Sequence, residues 1–298
     1  MKALLIHHGK AGGGKLSRSK AVELVERAGW KVEVMPRDKV NAKALAAAEP
    51  DVIVVAGGDG SIAKIARLVP DRGVPLAFLP TGTANNIGRS LGMGTDPPCV
   101  AAAWDIDRRS RLDLGRVHHK GSDRLFVEAV GFGVFAQSLS QSSRRDGKAK
   151  IEFGRAALRQ ALRAAQPVKF HISVDGKERR LQALLVEVMN VPITGPWLRL
   201  CPEGDPGDGV LDLAYLPPGA SKKMQAWLEG VSQSAPPLRW LRGHRIEIET
   251  SGCAMRIDDE VCALDKGSRV SITLESEPLQ VLGSTAARAL DAPDGSDS

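Results

Sequence analysis

Aromatic residues are scarce in this chain: Phe, Trp and Tyr together make up 4% of its 298 residues. Proteins that bind single-stranded nucleic acid stack the bases on aromatic side chains, so this scarcity argues against nucleic acid as a partner. The net charge of +6 leaves anionic partners open. Nucleotides, phosphorylated substrates and the surface of an acidic bilayer all belong to that class.

Long apolar runs are also missing. No segment approaches the roughly 18 apolar residues that a helix needs to cross a bilayer. The first ten residues, MKALLIHHGK, contain too short an apolar stretch for a secretion signal. We therefore expect a cytoplasmic protein whose membrane contact is peripheral, at the inner face of the membrane.

Cysteine pairs of the kind that bind zinc are absent, because no two cysteines are spaced as C-x-x-C and no histidine stands at ligand spacing from one. This pattern predicts reduced, mostly structural thiols rather than a zinc site or disulfides. The four cysteines are Cys99, Cys201, Cys253 and Cys262.

The first third of the chain alternates strand and helix signals, which is typical of a doubly wound α/β layer. The segment DVIVVAGG (51–58) is a continuous apolar run of the kind found in buried parallel strands. Ser17 or Ser19 is expected near the start of the first helix and Gly29 at its end. The remaining strands are predicted at 3–8, 30–36 and 74–80, and the helices at 17–29, 41–49, 61–68 and 84–91.

Strand signals dominate after about Trp104, apart from one helical segment at about 148–165. The stretch from 168 to 189 is predicted to be a hairpin, since Asp175-Gly176 suits a tight primed turn. Short strands with turn residues between them follow, as in a β-sandwich or barrel. We therefore predict an α/β nucleotide-binding domain over 1–113, a β-sandwich domain over 114–283 and a loose tail over 284–298.

Three glycine-rich segments follow strands of the α/β domain: 7–17, Gly57 to Ser61, and 79–92. Free amides at a helix start attract anions, and glycines let the backbone approach a phosphate. Asp59 would repel phosphate unless a divalent metal lay between them; the alternative is that it caps the following helix. The first segment is nearly a Walker loop but has Leu16 where a hydroxyl is needed, which leaves a flexible basic loop as its alternative. Together the three segments favour a nucleotide-phosphate site.

Acidic residues in the second domain form two further candidate sites. Asp205 and Asp208 lie three apart in a Gly-Pro loop and could supply oxygen ligands to a hard cation. Glu260 follows Asp258 and Asp259, and neighbouring like charges tend to raise a carboxyl pKa, which suits a general base. A solvated hairpin turn is the alternative for Glu260. The glycines of GFG (131–133) leave room for a ligand or a domain contact, or mark a bulged strand.

Taken together, these segments resemble the soluble diacylglycerol kinase catalytic family, which includes bacterial lipid kinases and the sphingosine and ceramide kinases. The family's motifs appear here in order across most of the chain. They are Gly12-Gly13-Gly14, Gly57 to Ser61, Leu79 to Asn86, Gly131-Phe132-Gly133, Asp205 to Asp212, and Ile257-Asp258-Asp259-Glu260. The resemblance implies an N-terminal α/β domain, a C-terminal β-sandwich and an active site in the cleft between them.

The resemblance also implies ATP and Mg²⁺ as cofactors and assigns roles to residues. Glu260 matches the proton acceptor, and Asp59, Asn85 and Asp113 match a catalytic network of magnesium and phosphate. A second metal site is implied at Asp205, Asp208 and the carbonyl of Val210. The implied nucleotide contacts are Gly12, Gly13, Gly14, Lys15, Gly57, Gly58, Asp59, Gly60, Ser61, Ile62, Ala63, Gly82, Thr83 and Asn85.

Three positions depart from the family pattern. Ser61 replaces Thr and keeps the hydroxyl. Asn86 replaces Asp, which removes one carboxylate from the implied metal network. Asp259 replaces a Gly at a turn that often needs positive φ, which would re-aim Glu260.

The expected function is therefore an ATP-dependent lipid kinase with diacylglycerol as the leading acceptor. An enzyme similar to NAD kinase and a catalytically weak nucleotide- or lipid-binding protein are the alternatives. Three basic and apolar segments could contact an anionic bilayer or form solvated faces: 108–111, 143–150 and 236–245. The expected partners are a lipid substrate and a second copy of the chain in a homodimer.

Overall fold

The computed structural model describes residues 1–8, 16–69, 73–139, 148–230 and 234–284. Within these residues the chain divides into two units. The first consists of Met1–Leu112 together with a strand at Leu279–Ser284, and the second is Asp113–Pro278. No helix in the described ranges has both the length and the hydropathy of a membrane span.

The helices and strands follow one another in chain order. They are β1 (Lys2–His7), α1 (Arg18–Arg27), β2 (Lys31–Pro36), α2 (Ala42–Ala48), β3 (Val52–Gly57), α3 (Asp59–Leu68), β4 (Leu76–Pro80), α4 (Asn86–Ser90), α5 (Pro97–Ala102), β5 (Trp104–Leu112), β6 (Gly115–His119), β7 (Ser122–Phe126), β8 (Ala129–Gly133), α6 (Val134–Leu139), α7 (Lys148–Ala164), β9 (Val168–Val174), β10 (Lys177–Ala183), β11 (Leu185–Met189), β12 (Ile193–Thr194), β13 (Leu198–Arg199), β14 (Leu211–Leu216), α8 (Ser221–Gly230), β15 (Arg239–Gly243), β16 (Arg245–Thr250), β17 (Ala254–Ile257), β18 (Glu260–Ala263), β19 (Arg269–Leu274) and β20 (Leu279–Ser284).

The first unit is an α/β layer around a six-stranded sheet in the order β2-β1-β3-β4-β20-β5. Strands β1 to β4 pair in parallel, and all six residues of β3 are buried. Local sequence explains the helix ends. The Ser17 hydroxyl accepts the amide of Lys20 at the start of α1, and Gly29, with φ of 81°, follows the end of that helix. The predicted α/β class is confirmed.

Strand β20 joins this first sheet, whereas the sequence pattern predicts that residues up to 283 belong to the second domain. Val281 pairs in parallel with Leu76 of β4 and antiparallel with Ser110 of β5. The side chains of Leu279, Val281 and Leu282 are fully buried there. The chain thus returns to its first sheet after the second unit is complete, a long-range pairing that no local sequence pattern encodes.

The second unit is a β-sandwich, as predicted. Its two six-stranded sheets have the orders β10-β9-β16-β19-β6-β7 and β15-β14-β11-β8-β17-β18. One hydrophobic core includes Ile172 and Ile248 from the first of these sheets and Phe132 and Val186 from the second. Helices α7 and α8 pack on the second sheet through residues such as Leu158.

The predicted hairpin at 168–189 is shorter than the sequence suggested. Strands β9 and β10 are joined by Asp175 and Gly176, whose φ values of 49° and 80° are those of a primed turn. The hairpin ends at Ala183, and β11 pairs with β8 and β14 in the other sheet. All five residues of β11 are buried, because helices cover one of its faces and the sandwich core covers the other.

Candidate active site

The Gly57 to Ser61 turn links the end of β3 to the start of α3. Gly58 is the N-cap of this ten-residue helix, and its carbonyl accepts the amides of Ser61 (2.8 Å) and Ile62 (3.1 Å). The first amides of a helix lack intrahelical acceptors and lie at the positive end of its dipole. The turn is therefore a suitable place for an anion.

Most glycines of the turn are required by the protein's own packing. A Cβ on Gly57 would lie 2.5 Å from the Cβ of Ser61. A Cβ on Gly58 would lie 2.8 Å from the Cα of Gly82, and a Cβ on Gly82 would lie 2.5 Å from the Cα of Gly58. A Cβ on Gly60 would meet nothing within 4 Å. Close approach of a ligand is therefore needed to explain only Gly60, whereas the sequence suggested it for the whole turn.

Gly60→Ala is expected to weaken ATP binding by about tenfold, the equivalent of ~1.4 kcal/mol, without lowering the melting temperature. The protein has space for the methyl group, and alanine is favoured over glycine inside a helix by about 1 kcal/mol. Titration calorimetry and thermal unfolding measure the two quantities. Gly94→Ala, whose Cβ would sit at an ordinary 3.7 Å from Val100, is the matched control. Unchanged ATP affinity in Gly60→Ala would count against a phosphate at this turn.

Asp59 connects two helices. Its backbone forms the first turn of α3, and its Oδ1 accepts the amide of Ile87 at 3.0 Å, in the first turn of α4. The carboxylate therefore caps the neighbouring helix α4. The capping alternative predicts instead that it caps α3, the helix to which Asp59 belongs. No cluster of three or more acidic, His or Cys side chains suited to a metal occurs in the described ranges. A single carboxylate fits Mg²⁺ that arrives with nucleotide phosphates, because this ion keeps several waters and needs only one or two protein carboxylates.

Residues 81–86, which lie within the predicted phosphate segment 79–92, form a loop that Asn85 closes. This residue has a left-handed φ of 51°, and its side chain accepts the Gly82 amide at 3.0 Å and donates to the Gly82 carbonyl at 3.1 Å. Asn85 thus shapes the loop that packs against Gly58. Thr83 is half-buried in the same loop, and Asn86, at the start of α4, is 2% exposed.

Sequence reasoning missed His8, which follows β1 at the same edge of the sheet as the glycine turn. Its Nδ1 lies 3.3 Å from the hydroxyl of Ser61. Its position directly after a parallel strand is the signal that could have identified it. The side chains of Ile62 and Ala63 are buried, so only their backbone is suited to contact a nucleotide. The other predicted phosphate contacts, Gly12, Gly13, Gly14 and Lys15, lie outside the described residues.

In the second unit, the predicted base Glu260 begins β18 directly after a two-residue turn. The left-handed residue of this turn is Asp258, with φ of 49°, rather than Asp259 as expected. The buried Asp258 carboxylate accepts the backbone amides of residues 127–129 at 2.8 to 3.2 Å. Asp tolerates the left-handed region better than most residues, and these bonds hold it there.

The three acidic residues of this turn do not form one cluster. The Asp258 side chain is directed into the unit, while the Glu260 side chain is 64% exposed and forms an ion pair with Arg124. Arg124 also contacts the sulfur of Cys262 at 3.1 Å and so bridges two residues of β18.

A buried ion pair between Arg256 and Glu187 stabilises the turn at 258–259. Arg256 is 2% exposed and donates to the carbonyl of Asp258 at 2.9 Å, to Oε2 of Glu187 at 2.5 Å and to the hydroxyl of Thr194 at 3.2 Å. Burial raises the pKa of the Glu187 carboxyl, and Arg256 acts in the opposite direction. A Cβ on Gly131 would lie 2.2 Å from Glu187, so this glycine of the GFG strand makes room for an internal side chain.

Asp113 lies in the second unit and is 3% exposed. Its amide donates to the carbonyl of Pro206, and its Oδ2 accepts the amide of Gly209, both at 2.7 Å. The structure therefore joins Asp113 to the loop that holds the predicted second metal site.

In that loop, both predicted carboxylate ligands bond to backbone amides. Asp205 accepts the amide of Gly207 at 2.9 Å, and Asp208 accepts the amide of Val210 at 3.0 Å. The other oxygen of Asp208 accepts a hydrogen bond from Arg242 at 2.5 Å.

Comparison with known proteins agrees with both units. Residues 2–117 match the diacylglycerol kinase catalytic domain, and residues 127–281 match the YegS C-terminal NAD kinase beta sandwich-like domain. A protein of Pseudomonas aeruginosa named "Probable lipid kinase YegS-like" is 31% identical over 72% of this chain and 72% of its own length. The chain belongs to the diacylglycerol kinase catalytic-domain family. It is thus an ATP-dependent lipid kinase.

Two further proteins are similar to this lipid kinase, one in sequence and one in structure. A diacylglycerol kinase of Mycobacterium tuberculosis H37Rv is 27% identical over 78% of this chain and 79% of its own length. The solved structure of a diacylglycerol kinase from Bacillus anthracis superposes with a TM-score of 0.72 at 20% identity, covering 96% of this chain and 98% of the other. At that identity the superposition supports the fold alone.

Proposed function

We propose that this lipid kinase transfers the γ-phosphate of ATP to a hydroxyl of diacylglycerol. The structural observation that carries the ATP part is the open space beside Gly60, at the start of α3 and next to Asp59. The acceptor is proposed from the relatives of Mycobacterium tuberculosis and Bacillus subtilis that carry the name diacylglycerol kinase.

The nucleotide phosphates are proposed to bind to backbone amides at the start of α3 and to the loop at 81–86. The helix dipole supplies partial positive charge there, and Gly60 lets the phosphate approach the backbone. The contact between Gly58 and Gly82 holds the two loops together before the ligand arrives. Phosphoryl transfer depends mainly on such positioning, which supports this assignment.

Asp59 is proposed to hold Mg²⁺ together with the phosphates. The ion, when bound, neutralises charge that develops on the phosphate oxygens. The bond from Ile87 to Oδ1 limits the orientation of the Asp59 side chain, so the carboxylate is preorganised for this contact.

Glu260 is proposed as the base that takes the proton from the acceptor hydroxyl. The hydroxyl oxygen then bonds to the γ-phosphorus, the bond from that phosphorus to the bridging oxygen breaks, and ADP leaves. Glu260 suits this role because it is exposed, while Asp258 and Arg256 hold its turn and Arg124 restricts its side chain. A catalytic side chain must be held in its productive orientation by the packing and hydrogen bonds of neighbouring residues.

Access to a lipid acceptor requires peripheral contact with the bilayer. Most of the predicted segment 143–150 lies outside the described residues. Of the other two basic and apolar segments, 236–245 supports this proposal better, because Trp240 on β15 is 40% exposed and Arg239 beside it is also exposed. Aromatic and basic side chains are favoured together at membrane interfaces. Homodimer formation stays a prediction.

The acceptor is tested with labelled ATP, Mg²⁺ and a panel of diacylglycerol, sphingoid base, phosphatidylglycerol and NAD. Label is expected in phosphatidic acid, and chelation of Mg²⁺ should abolish the transfer. Label in another lipid would replace diacylglycerol as the acceptor, and label in NAD would favour the alternative of an NAD kinase. ATP binding without any labelled acceptor would favour a catalytically weak binding protein, for which the buried Asn86 in place of Asp is the supporting observation.

A further inference from the structure

The loop at 201–210 is held by Asp113 and by two residues at the end of β15, Arg242 and His244. Asp113 bonds to Pro206 and Gly209, and Nδ1 of His244 lies 3.0 Å from the carbonyl of Gly209. Arg242 forms the remaining attachment. The loop is thus bonded to three different side-chain groups: a carboxylate, an imidazole and a guanidinium.

Arg242 contacts two carboxylates at once. Its Nη2 lies 2.5 Å from Asp208 in the loop, and its Nε lies 2.8 Å from Asp212 on β14. Arg242 and Asp212 are direct cross-strand partners in the pairing of β14 with β15. Opposite charges at such paired positions attract, so the sheet register itself places the guanidinium beside the loop.

One guanidinium therefore lies within ion-pair distance of both carboxylates. Without Arg242, Asp208 and the mostly buried Asp212 would repel one another with no counter-charge.

We propose that the Arg242 guanidinium is the resident cation of this loop and replaces the divalent metal that the family resemblance assigns to Asp205, Asp208 and Val210. Both oxygens of Asp208 already accept hydrogen bonds, one from the Val210 amide and one from Arg242. A divalent ion there would have to displace the guanidinium. An arginine is charged at every physiological pH, so the loop keeps its structure without bound metal.

Thermal unfolding of the full chain tests this proposal. The melting temperature is measured without nucleotide, first in EDTA and then in millimolar Mg²⁺, Ca²⁺ or Mn²⁺. The single variant Asp208→Asn is expected to show the same cation-induced shift in melting temperature, if any, as the wild type. Arg242→Gln is expected to melt at a lower temperature than the wild type. Added cation should then raise its melting temperature by about 3 °C or more, because the carboxylates of Asp208 and Asp212 are open to a metal. The double variant Arg242→Gln/Asp208→Asn should lose that rise.

Arg269→Gln is the matched control, because Arg269 is an exposed strand residue that pairs with one carboxylate, Glu249, at 3.5 Å. It should show the wild-type cation response. A cation-induced shift in the wild type that disappears in Asp208→Asn would overturn the proposal, and that comparison does not depend on the folding of Arg242→Gln. A folded Arg242→Gln variant that gains no cation response would also overturn it.

Discussion

Replacing Arg256 with methionine is expected to lower the free energy of unfolding by about 3–5 kcal/mol, because it leaves the Glu187 carboxylate buried without its partner. Glu187 is fully buried and Arg256 is 2% exposed. The guanidinium also lies 4.4 Å from the centre of the Phe135 ring and donates to the carbonyl of Asp258. The lost interactions therefore include a cation–π contact and a bond to the turn before Glu260. Urea unfolding followed by circular dichroism measures the change.

The matched control is Arg116→Met, which removes an arginine that is 38% exposed and paired with Glu275 and Asp123. Such exposed pairs contribute about 1 kcal/mol or less. The double variant Arg256→Met/Glu187→Leu should recover part of the loss, since it removes both buried charges. A loss below about 1 kcal/mol in Arg256→Met would contradict the role of this pair.

Glu260→Gln is expected to lower kcat for phosphoryl transfer by about 10²–10⁴-fold, the usual contribution of a general base. The substitution keeps the size of the side chain and its bond to Arg124 in a neutral form, so the fold and ATP affinity should stay unchanged. Initial rates with labelled ATP and diacylglycerol, together with calorimetric ATP titration, separate the two effects.

Glu178→Gln serves as the control for Glu260. Glu178 is also an exposed strand carboxylate, 70% accessible, and pairs with His171 at 3.4 Å. It should retain wild-type kcat. Transfer by Glu260→Gln within about threefold of the wild type, far from the loss expected of a missing base, would exclude Glu260 from that role.

The features that the sequence predicts depend on residues that lie close together in the chain. Ser17 caps α1 three residues from its bonding partner, and Asp175 and Gly176 form their turn within the hairpin they join. Their structure follows from local preferences: side-chain capping in the first case and left-handed backbone in the second. The glycine turn at 57–61 was located correctly for the same reason.

The features that were missed depend on pairing between distant segments. Glu187 and Arg256 are 69 positions apart, and Arg242 reaches Asp208 across 34 positions. Strand β20 returns to the first sheet only after the whole sandwich. One sequence without coupling information does not specify such contacts, because each residue alone fits a solvated surface or an ordinary strand. The packing of Gly58 against Gly82 is likewise a contact between segments that are distant in the chain.

The proposed binding of the ATP phosphates at the Gly57 to Ser61 turn is tested most directly by hydrogen–deuterium exchange. Peptides covering 57–63 are compared with and without a non-hydrolysable ATP analogue and Mg²⁺, since amide exchange reports local protection. Exchange in 57–63 and in the adjoining loop at 81–86 is expected to slow, while the hairpin turn at Asp175 and Gly176 should not change. Protection that appears elsewhere in the chain while 57–63 exchanges as before would contradict this proposal.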